Sequence, residues 1–147
     1  MIHLVLAPLE LAEAIAFVDR HHHHNDPVVG HLCSSGAKLG GSLVAVSIVG
    51  RPIAGASQDG FTVEIRRVAS NGPREACSFL SRSACRAAFG RSCRWVVTYT
   101  LASECGASLR AAGSHLVGSV SGRHWDTPSR RRNHGPLFDR LRWEQTS

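Results

Sequence analysis

One continuous segment, residues 94–122, constrains the fold more than any other part of the chain. Its residues 95–100 are aromatic or β-branched, a composition that is typical of a buried strand. Ser108 can cap a short helix, and Gly113 supplies the left-handed residue that ends such a helix. The chain then returns to a strand at Leu116. The segment therefore predicts a strand, a helix and a second strand in direct succession, as in an α/β domain.

The hydrophobic pattern divides the rest of the chain into further elements. In chain order we predict a strand at 2–7, a helix from Pro8, a loop at 28–39, strands at 43–49 and 61–68, and a helix at 74–89. Arg67 breaks the alternation of the strand at 61–68, which predicts a β-bulge near it. The buried side of the helix at 74–89 is predicted to carry Ala76, Leu80, Ala84 and Ala87.

These elements give the order β-α-β-β-α-β-α-β and the fold class α/β (α+β). We predict a single mixed central sheet with flanking helices, formed by residues 1–122. Residues 123–147 are either a basic C-terminal tail or the final strand of the same domain. Within them, residues 137–143 have the pattern of a strand or of a docked tail.

Composition limits the class of protein. The chain has 147 residues, of which 43% are hydrophobic and 19% charged, as expected for one globular domain. No apolar run approaches the roughly 20 residues that span a bilayer, and the N-terminal residues lack a basic leader. We therefore expect a cytoplasmic protein. The five cysteines include no Cys-x-x-Cys pair, which argues against a disulfide framework and against a zinc ribbon.

Positive charge is concentrated in the second part of the chain. The net charge is +6, and residues 61–147 carry 14 arginines against six acids. Near the C-terminus, arginines alternate with aromatic residues, a composition that suits phosphate contact and base stacking. We predict DNA or another nucleic acid as the partner, bound by Arg123, Arg130, Arg131, Arg132 and Arg140. The alternative is a solvated basic tail.

A run of histidines occupies residues 21–24, at the end of the first predicted helix. His22, His24 and His31 are candidate ligands of a first-row transition metal. His22 is also a candidate catalytic base, because a neutral imidazole can accept a proton near pH 7. The alternative is a set of solvated histidines, stabilised by the negative end of the helix dipole.

Glu64 and Arg67 lie three residues apart near the end of a predicted strand. A carboxylate and a guanidinium in this position can flank a substrate, and the alternative is an ordinary ion pair within the sheet. Tyr99 lies near the end of the next strand, either in the site or at the rim of the core.

The order of elements resembles that of the GNAT N-acetyltransferases. In that family the helix that follows the central strand binds the pyrophosphate of coenzyme A through its first amides. The resemblance implies acetyl-CoA or another acyl donor as cofactor, with Glu64 as general base and Tyr99 as general acid for the departing thiolate. The cofactor-binding residues that it implies are Arg67, Gly72, Arg74, Ala76, Cys77 and Ser108. An ordinary strand-to-helix turn is the alternative at residues 68–78.

Short motifs in order along the chain also resemble a family of small phage and prophage proteins. They lie at residues 28–31, 49–52, 64–68, 76–78, 98–101 and 108–113. That family is remotely similar to the phage Mom proteins, which are GNAT-related enzymes that carbamoylmethylate adenine in DNA. This second resemblance implies an iron centre at the histidine run, and catalytic roles for Glu64, Arg67 and Ser78. It also implies the cytoplasm of a host cell.

Three functions follow from these observations. The first is a phage-type GNAT-like transferase that acts on nucleic acid, with Mom-like modification of adenine as its specific form. The second is a non-catalytic DNA- or protein-binding factor on the same scaffold. The third is a generic acetyl-CoA-dependent N-acetyltransferase.

Overall fold

The computed structural model describes residues 3–21, 30–52, 58–73, 75–101, 106–120 and 140–146. In these ranges the helices are α1 Leu11–His21, α2 Glu75–Gly90 and α3 Ala107–Ala112. The strands are β1 Leu4–Leu9, β2 His31–Leu39, β3 Ser42–Gly50, β4 Thr62–Ser70, β5 Trp95–Leu101, β6 His115–Val120 and β7 Arg140–Thr146. No helix among the described residues is long and apolar enough to cross a membrane.

The strands form one seven-stranded sheet in the order β1-β2-β3-β4-β5-β7-β6. Neighbouring strands are antiparallel except for β4 and β5, which are parallel. The C-terminal strand β7 lies between β5 and β6 and pairs with both. The predicted fold class is therefore confirmed, since the domain has a mixed central sheet with flanking helices.

The helices cover both faces of the sheet. Ala14, Phe17 and Val18 of α1 pack against Val46 and Ile48 of β3. On the other face, α2 packs against the sheet in two clusters, and one of them includes the next residue of β3, Val49. Because successive side chains of a strand point to opposite faces, α1 and α2 lie on opposite sides of the sheet. The short helix α3 packs beside α2.

The predicted loop at 28–39 is wrong over its described part, which is strand β2. This strand pairs with β1 on one side and with β3 on the other. Gly36 of this strand lies against two leucine side chains: a Cβ there would lie 2.5 Å from Leu43 Cδ1 and 3.0 Å from Leu9 Cδ1. A glycine in a strand often marks such a close approach, and here it resembles a loop signal in the sequence.

Two smaller predictions are also corrected. Pro8 lies in β1 and does not begin a helix; it is tolerated because β1 is an edge strand. On α2, Ala76 and Leu80 are buried as predicted, whereas Ala87 is exposed and Cys85 is buried instead. Small residues occupy every side of this helix, so its composition did not reveal the buried side.

Helix α3 is fixed by glycines at both ends. Its N-cap is Gly106, with φ 65° and no side-chain cap, so the predicted capping role of Ser108 is wrong. A Cβ at Gly106 would overlap the indole ring of Trp143 on β7, with Cη2 only 2.7 Å away. Gly113 ends the helix at φ 97°, as predicted. Trp143 itself is buried and donates a hydrogen bond of 2.9 Å from Nε1 to Thr100 Oγ1.

Candidate functional site

The two parallel strands separate at the centre of the sheet. They pair from Thr62 opposite Trp95 as far as Ile65 opposite Thr98. Both strands continue beyond this point, β4 to Ser70 and β5 to Leu101. Beyond Thr98, β5 continues to pair with β7, and β4 remains paired with β3. The result is a gap between the carboxyl ends of two central strands, which is where ligands bind in many α/β folds.

A β-bulge in β4 marks the point where the strands separate. Ile48 of β3 lies opposite Arg67, while the next residue, Val49, lies opposite Ile65. Arg66 is therefore the additional residue of β4, next to the position at which the sequence predicted a bulge. A bulge bends its strand and increases the local twist, which turns the end of β4 away from β5.

Glu64 forms an ion pair with the bulge residue Arg66. Arg66 Nε lies 3.5 Å from Glu64 Oε2, and only 5% and 7% of the two side chains are exposed. Arg66 Nη1 also donates a hydrogen bond of 3.3 Å to the carbonyl oxygen of Arg51. Gly50 lies beside this guanidinium, and a Cβ there would be only 2.9 Å from the Gly30 carbonyl oxygen. The carboxylate is thus held in one place beside the gap.

Glu64 and Arg67 lie on the face of the sheet that α1 covers. Arg67 is paired with Ile48, which belongs to the α1 core, and directly paired residues share a face. Ile65 belongs to the α2 core, so its neighbour Glu64 points the other way. Arg67 is half-buried, and its Nη1 donates a hydrogen bond of 3.0 Å to the Arg66 carbonyl oxygen. The bulge thus brings the predicted carboxylate and guanidinium to the same face.

Tyr99 reaches this face from the other side of the gap. It lies two residues after Val97, which is paired with Glu64. Arg142 of β7 is paired with Tyr99, and its Nη1 donates a hydrogen bond of 3.3 Å to the tyrosine hydroxyl oxygen. Glu144 holds Arg142 in turn, with Oε1 at 2.8 Å from Nη2 and 3.0 Å from Nε. The hydroxyl of Tyr99 is therefore positioned by a guanidinium that is itself ion-paired.

The turn into α2 carries most of the predicted cofactor-binding residues. The Gly72 amide donates to Ser70 Oγ at 3.2 Å, and the Ala76 amide donates to the Pro73 carbonyl oxygen at 3.1 Å. A helix N-terminus still presents amides without an intrahelical acceptor, together with the positive end of the dipole. Glu75 adds one exposed carboxylate to this first turn.

Burial raises the pKa of the Cys77 thiol, so this cysteine stays protonated at neutral pH. It therefore has the character of a small apolar residue in the first turn of α2, without that of a nucleophile.

Comparison with known proteins agrees with this architecture. No family model and no curated protein matches the chain. An acetyltransferase from Bacillus subtilis, solved in complex with CoA, has a TM-score of 0.70 at 15% identity over 100% of this chain and 99% of its own. The ribosomal-protein alanine N-acetyltransferase of Escherichia coli has a TM-score of 0.68 at 12% identity, over 98% and 94%. An N-acetyltransferase from Staphylococcus aureus has a TM-score of 0.71 at 9% identity, over 98% of each chain.

The chain has the GNAT acetyltransferase fold. At these identities the likeness establishes the fold, while the activity has to be argued from the site. The GNAT-like layout that the sequence predicted is confirmed, whereas phage origin and similarity to the Mom proteins stay predictions.

On this GNAT scaffold, two of the predicted site serines lie away from Glu64. Ser78 belongs to α2, on the opposite face of the sheet, and its Oγ donates to the Glu75 carbonyl oxygen at 3.1 Å. Ser108 lies in the first turn of α3, which packs beside α2. Both serines are therefore on the α2 side of the sheet, apart from the predicted general base.

The predicted metal site lies mostly outside the described residues, because His22 and His24 are not among them. His31 is at the start of β2, with Nε2 at 2.8 Å from Ser34 Oγ. Within the described part of the chain there is no group of three or more His, Cys, Asp or Glu residues that could hold a metal ion.

The predicted nucleic-acid-binding arginines are described in only one case. Arg140 is exposed at the start of β7. Residues 121–139, which contain the other four, lie outside the described residues, as does Arg74 of the predicted cofactor site.

Sequence reasoning missed three residues of the site, Arg66, Arg142 and Glu144. The alternation of β4 already placed Glu64 and Arg66 on one face, so their pairing could have been predicted. Arg142 and Glu144 are two residues apart and hence share a face of a strand, but their link to Tyr99 depends on a pairing 43 residues away in sequence. No local signal indicates that pairing.

Proposed function

We propose that this protein is an acyl-CoA-dependent N-acyltransferase, with acetyl-CoA as the donor to be tested first. The observation that carries the proposal is the end of β4–β5 pairing at Ile65 and Thr98, beside a bulge and before a helix N-terminus. A gap of this kind can hold an extended acyl-pantetheine chain, because the separated strand edges offer backbone amides and carbonyls. Its thioester would then lie near the residues that flank the gap.

Coenzyme A supplies an activated acyl group and a diphosphate. The dipole and first amides of α2 are suited to the diphosphate. Gly72 lies shortly before the helix. A Cβ at this position would lie 3.1 Å from Val44 Cβ, so the close packing favours a residue without a side chain. Glu75 works against an anion in this position, since its carboxylate is in the same turn.

The side chains at the gap provide both proton transfers of an aminolysis. The acceptor amine attacks the thioester carbonyl, and Glu64 accepts the proton that the amine nitrogen loses, directly or through one water. The carbon–sulfur bond then breaks, and Tyr99 donates its hydroxyl proton to the departing thiolate. Arg142, which holds the tyrosine oxygen, stabilises the phenolate that remains until it is reprotonated.

Calorimetry with coenzyme A and a thiol-release assay with acetyl-CoA and a panel of amines test this proposal. The informative variant is Glu75→Gln. Removing a negative charge from the first turn of α2 is expected to tighten coenzyme A binding about threefold to tenfold at low salt. The same change lowers helix stability by about 0.3–1 kcal/mol, because the carboxylate no longer complements the dipole.

Glu13→Gln is the matched control, since Glu13 is the acid in the first turn of α1. It should lower stability to a similar degree and leave the affinity for coenzyme A unchanged. Absence of coenzyme A binding by the wild-type protein at millimolar ligand would overturn the proposal and favour a non-catalytic binding factor.

For the acceptor we propose a nucleic-acid base amine, in line with the resemblance to the Mom proteins. The support is the net charge of +6 and the exposed Arg140 at the end of the sheet that carries the gap. Mass spectrometry of nucleosides from cells that express the protein, with Glu64→Gln as control, tests this assignment. A modified adenine that depends on Glu64 supports it; transfer to peptide or small amines only would contradict it. Elemental analysis of untagged protein tests the implied iron at His22 and His24.

A further inference from the structure

The two helical layers of the molecule differ in charge. On α1 and the residue before it, Glu10, Glu13 and Asp19 are exposed, and Arg20 is the only arginine or lysine in this stretch. On the other side of the sheet, exposed arginines follow one another along the outer side of α2 and the turn behind it; they are Arg82, Arg86, Arg91 and Arg94. These four residues are named here the α2 arginine surface.

Two of these arginines share one side of α2. Arg82 and Arg86 are four residues apart, so their side chains lie about 6 Å apart along the axis, and Arg82 Nη2 donates a hydrogen bond of 3.1 Å to the Ala111 carbonyl oxygen of α3. Arg91 and Arg94 lie between the C-terminus of α2 and the start of β5. The acid of α2 is Glu75, at the opposite end of a helix of 16 residues, about 24 Å long. The C-terminal part of α2 thus presents positive charge without an acid of its own.

An aromatic ring lies beside Arg94. The Arg94 guanidinium carbon is 4.9 Å from the centroid of the Phe61 ring, and 44% of Phe61 is exposed. The Arg94 amide donates to the Phe61 carbonyl oxygen at 2.7 Å, which fixes the two residues against each other. Asp59 is the nearby acid in sequence, and its Oδ1 accepts the Phe61 amide. The Phe61–Arg94 stack thus presents an aromatic ring and a guanidinium together at the surface.

We propose that the α2 arginine surface and Phe61 bind single-stranded nucleic acid. The exposed arginines can contact the phosphates of a strand, and the Phe61–Arg94 stack offers a flat surface to an unpaired base. A duplex would meet the arginines but would not expose its bases to the ring. The surface lies at the end of α2 that is remote from the proposed coenzyme A site, so this proposal is independent of acyl transfer.

Fluorescence anisotropy tests the proposal with a labelled 20-nucleotide strand, as DNA and as RNA, and with the corresponding duplex. We expect single strands to bind about tenfold more tightly than the duplex. The variant Arg86→Gln/Arg91→Gln should weaken binding about tenfold, and it should lower the slope of log affinity against log salt by about 1.4, or 0.7 for each lost phosphate contact. Glutamine is a good helix former, so α2 should stay folded.

The control is Arg20→Gln/Lys38→Gln, which removes the same charge from exposed positions on α1 and β2. It should change affinity by less than about twofold, since these charges would not contact the strand. Phe61→Leu keeps an apolar side chain but loses the ring, and should weaken single-strand binding at least about fivefold. Calorimetry with coenzyme A should give the same affinity for wild type and Arg86→Gln/Arg91→Gln.

Three outcomes would overturn the proposal. One is equal loss of binding in the control and in Arg86→Gln/Arg91→Gln, which indicates only general attraction by net charge. Another is binding of the duplex as tight as that of the single strand and unaffected by Phe61→Leu. The third is binding to vesicles of phosphatidylserine and phosphatidylcholine that competes with the strand at equal affinity. The choice between DNA and RNA follows from which labelled strand binds more tightly.

Discussion

The two halves of strand β4 differ in the strands they pair with and in burial. Residues 62–65 pair with β5, Glu64 and Ile65 also pair with β3, and all four residues are buried. Residues 67–70 pair with β3 after β5 has separated, and Arg67 and Val68 are only half-buried. One strand therefore serves as core over its first half and as the wall of a gap over its second half.

The physical difference between the halves is the number of partners. A central parallel strand with a neighbour on each side and a layer on each face has almost no room for polar groups. Glu64 is tolerated there because Arg66, from the second half, neutralises it. The bulge at Arg66 thus both separates the strands and provides the counter-ion that allows a carboxylate at the border of the core.

Glu64 lies where the two halves of β4 meet, and the variant Glu64→Gln has the largest expected effect. The amide has nearly the same volume but cannot accept a proton from the amine, so acyl transfer should fall about 10²- to 10⁴-fold. Affinity for coenzyme A should be unchanged, since Glu64 lies on the other face of the sheet from α2. Steady-state kinetics and calorimetry on one preparation separate the two quantities.

A Glu64→Gln protein that retains its rate within about fivefold would exclude Glu64 as the base. Glu64→Ala is less informative, because it leaves the buried Arg66 without its carboxylate. It should cost about 3–5 kcal/mol of stability regardless of catalysis.

The pH dependence of stability tests whether water is excluded from the side chains that pack on the first half of β4. Cys85 of α2 packs against Val63 and Ile65 and is 2% exposed. Burial raises the pKa of its thiol from 9.0 to about 11. Between these values the unfolded chain binds fewer protons than the folded one, so the free energy of unfolding falls as pH rises. From pH 9 to pH 11 this thiol should account for a loss of about 2–3 kcal/mol, and none below pH 8.

Urea unfolding of wild type and Cys85→Ala at a series of pH values measures this loss. The variant should be less stable at neutral pH, owing to the lost packing, but should show a shallower decline above pH 9. Parallel curves for the two proteins over that range would mean that water reaches the first half of β4.

Much of this architecture is visible in the sequence, because it depends on short-range patterns. The apolar run of β3, the alternation of β4 and the stop of α3 at Gly113 each arise from neighbouring residues. Even the bulge is indicated by the break in alternation at Arg67. These features can be predicted without knowing which residues pack against them.

The errors have a common physical cause, which is contact between residues distant in sequence. In the sequence, Gly36 and the serines of β2 resemble a loop, because the local pattern does not show that Leu43 and Leu9 lie against Gly36. Ser108 resembles an N-cap in the sequence, but the N-cap is Gly106, which lies against the Trp143 ring. The candidate site shares this limit, since Glu64 and Tyr99 were predicted but the arginine that holds Tyr99 comes from β7.

A pair of identical substitutions compares the packing of the two halves directly. Val63 and Val68 both pack on the α2 core, the first 8% exposed and the second half-buried. Val63→Ala should lower the free energy of unfolding by about 2 kcal/mol, from lost burial and a residual cavity. Val68→Ala should cost about 1 kcal/mol or less, because its surroundings already admit water. Equal costs in urea unfolding would show that the second half of β4 is as well packed as the first.

The last comparison concerns the other side of the gap, where β5 no longer pairs with β4 and pairs only with β7. Trp143 Nε1 donates to Thr100 Oγ1, two residues beyond the last position that pairs with β4. Trp143→Phe keeps a large ring near Gly106 but removes this donor, and should cost about 1–2 kcal/mol. Thr100→Val removes the acceptor from the same bond. If the bond stabilises the separated end of β5, the double variant should cost less than the sum of the two single variants, by about 1 kcal/mol. Costs that add within about 0.3 kcal/mol would show that the bond contributes nothing, and that the shape of the indole ring alone holds β5 to β7 where the strands have separated.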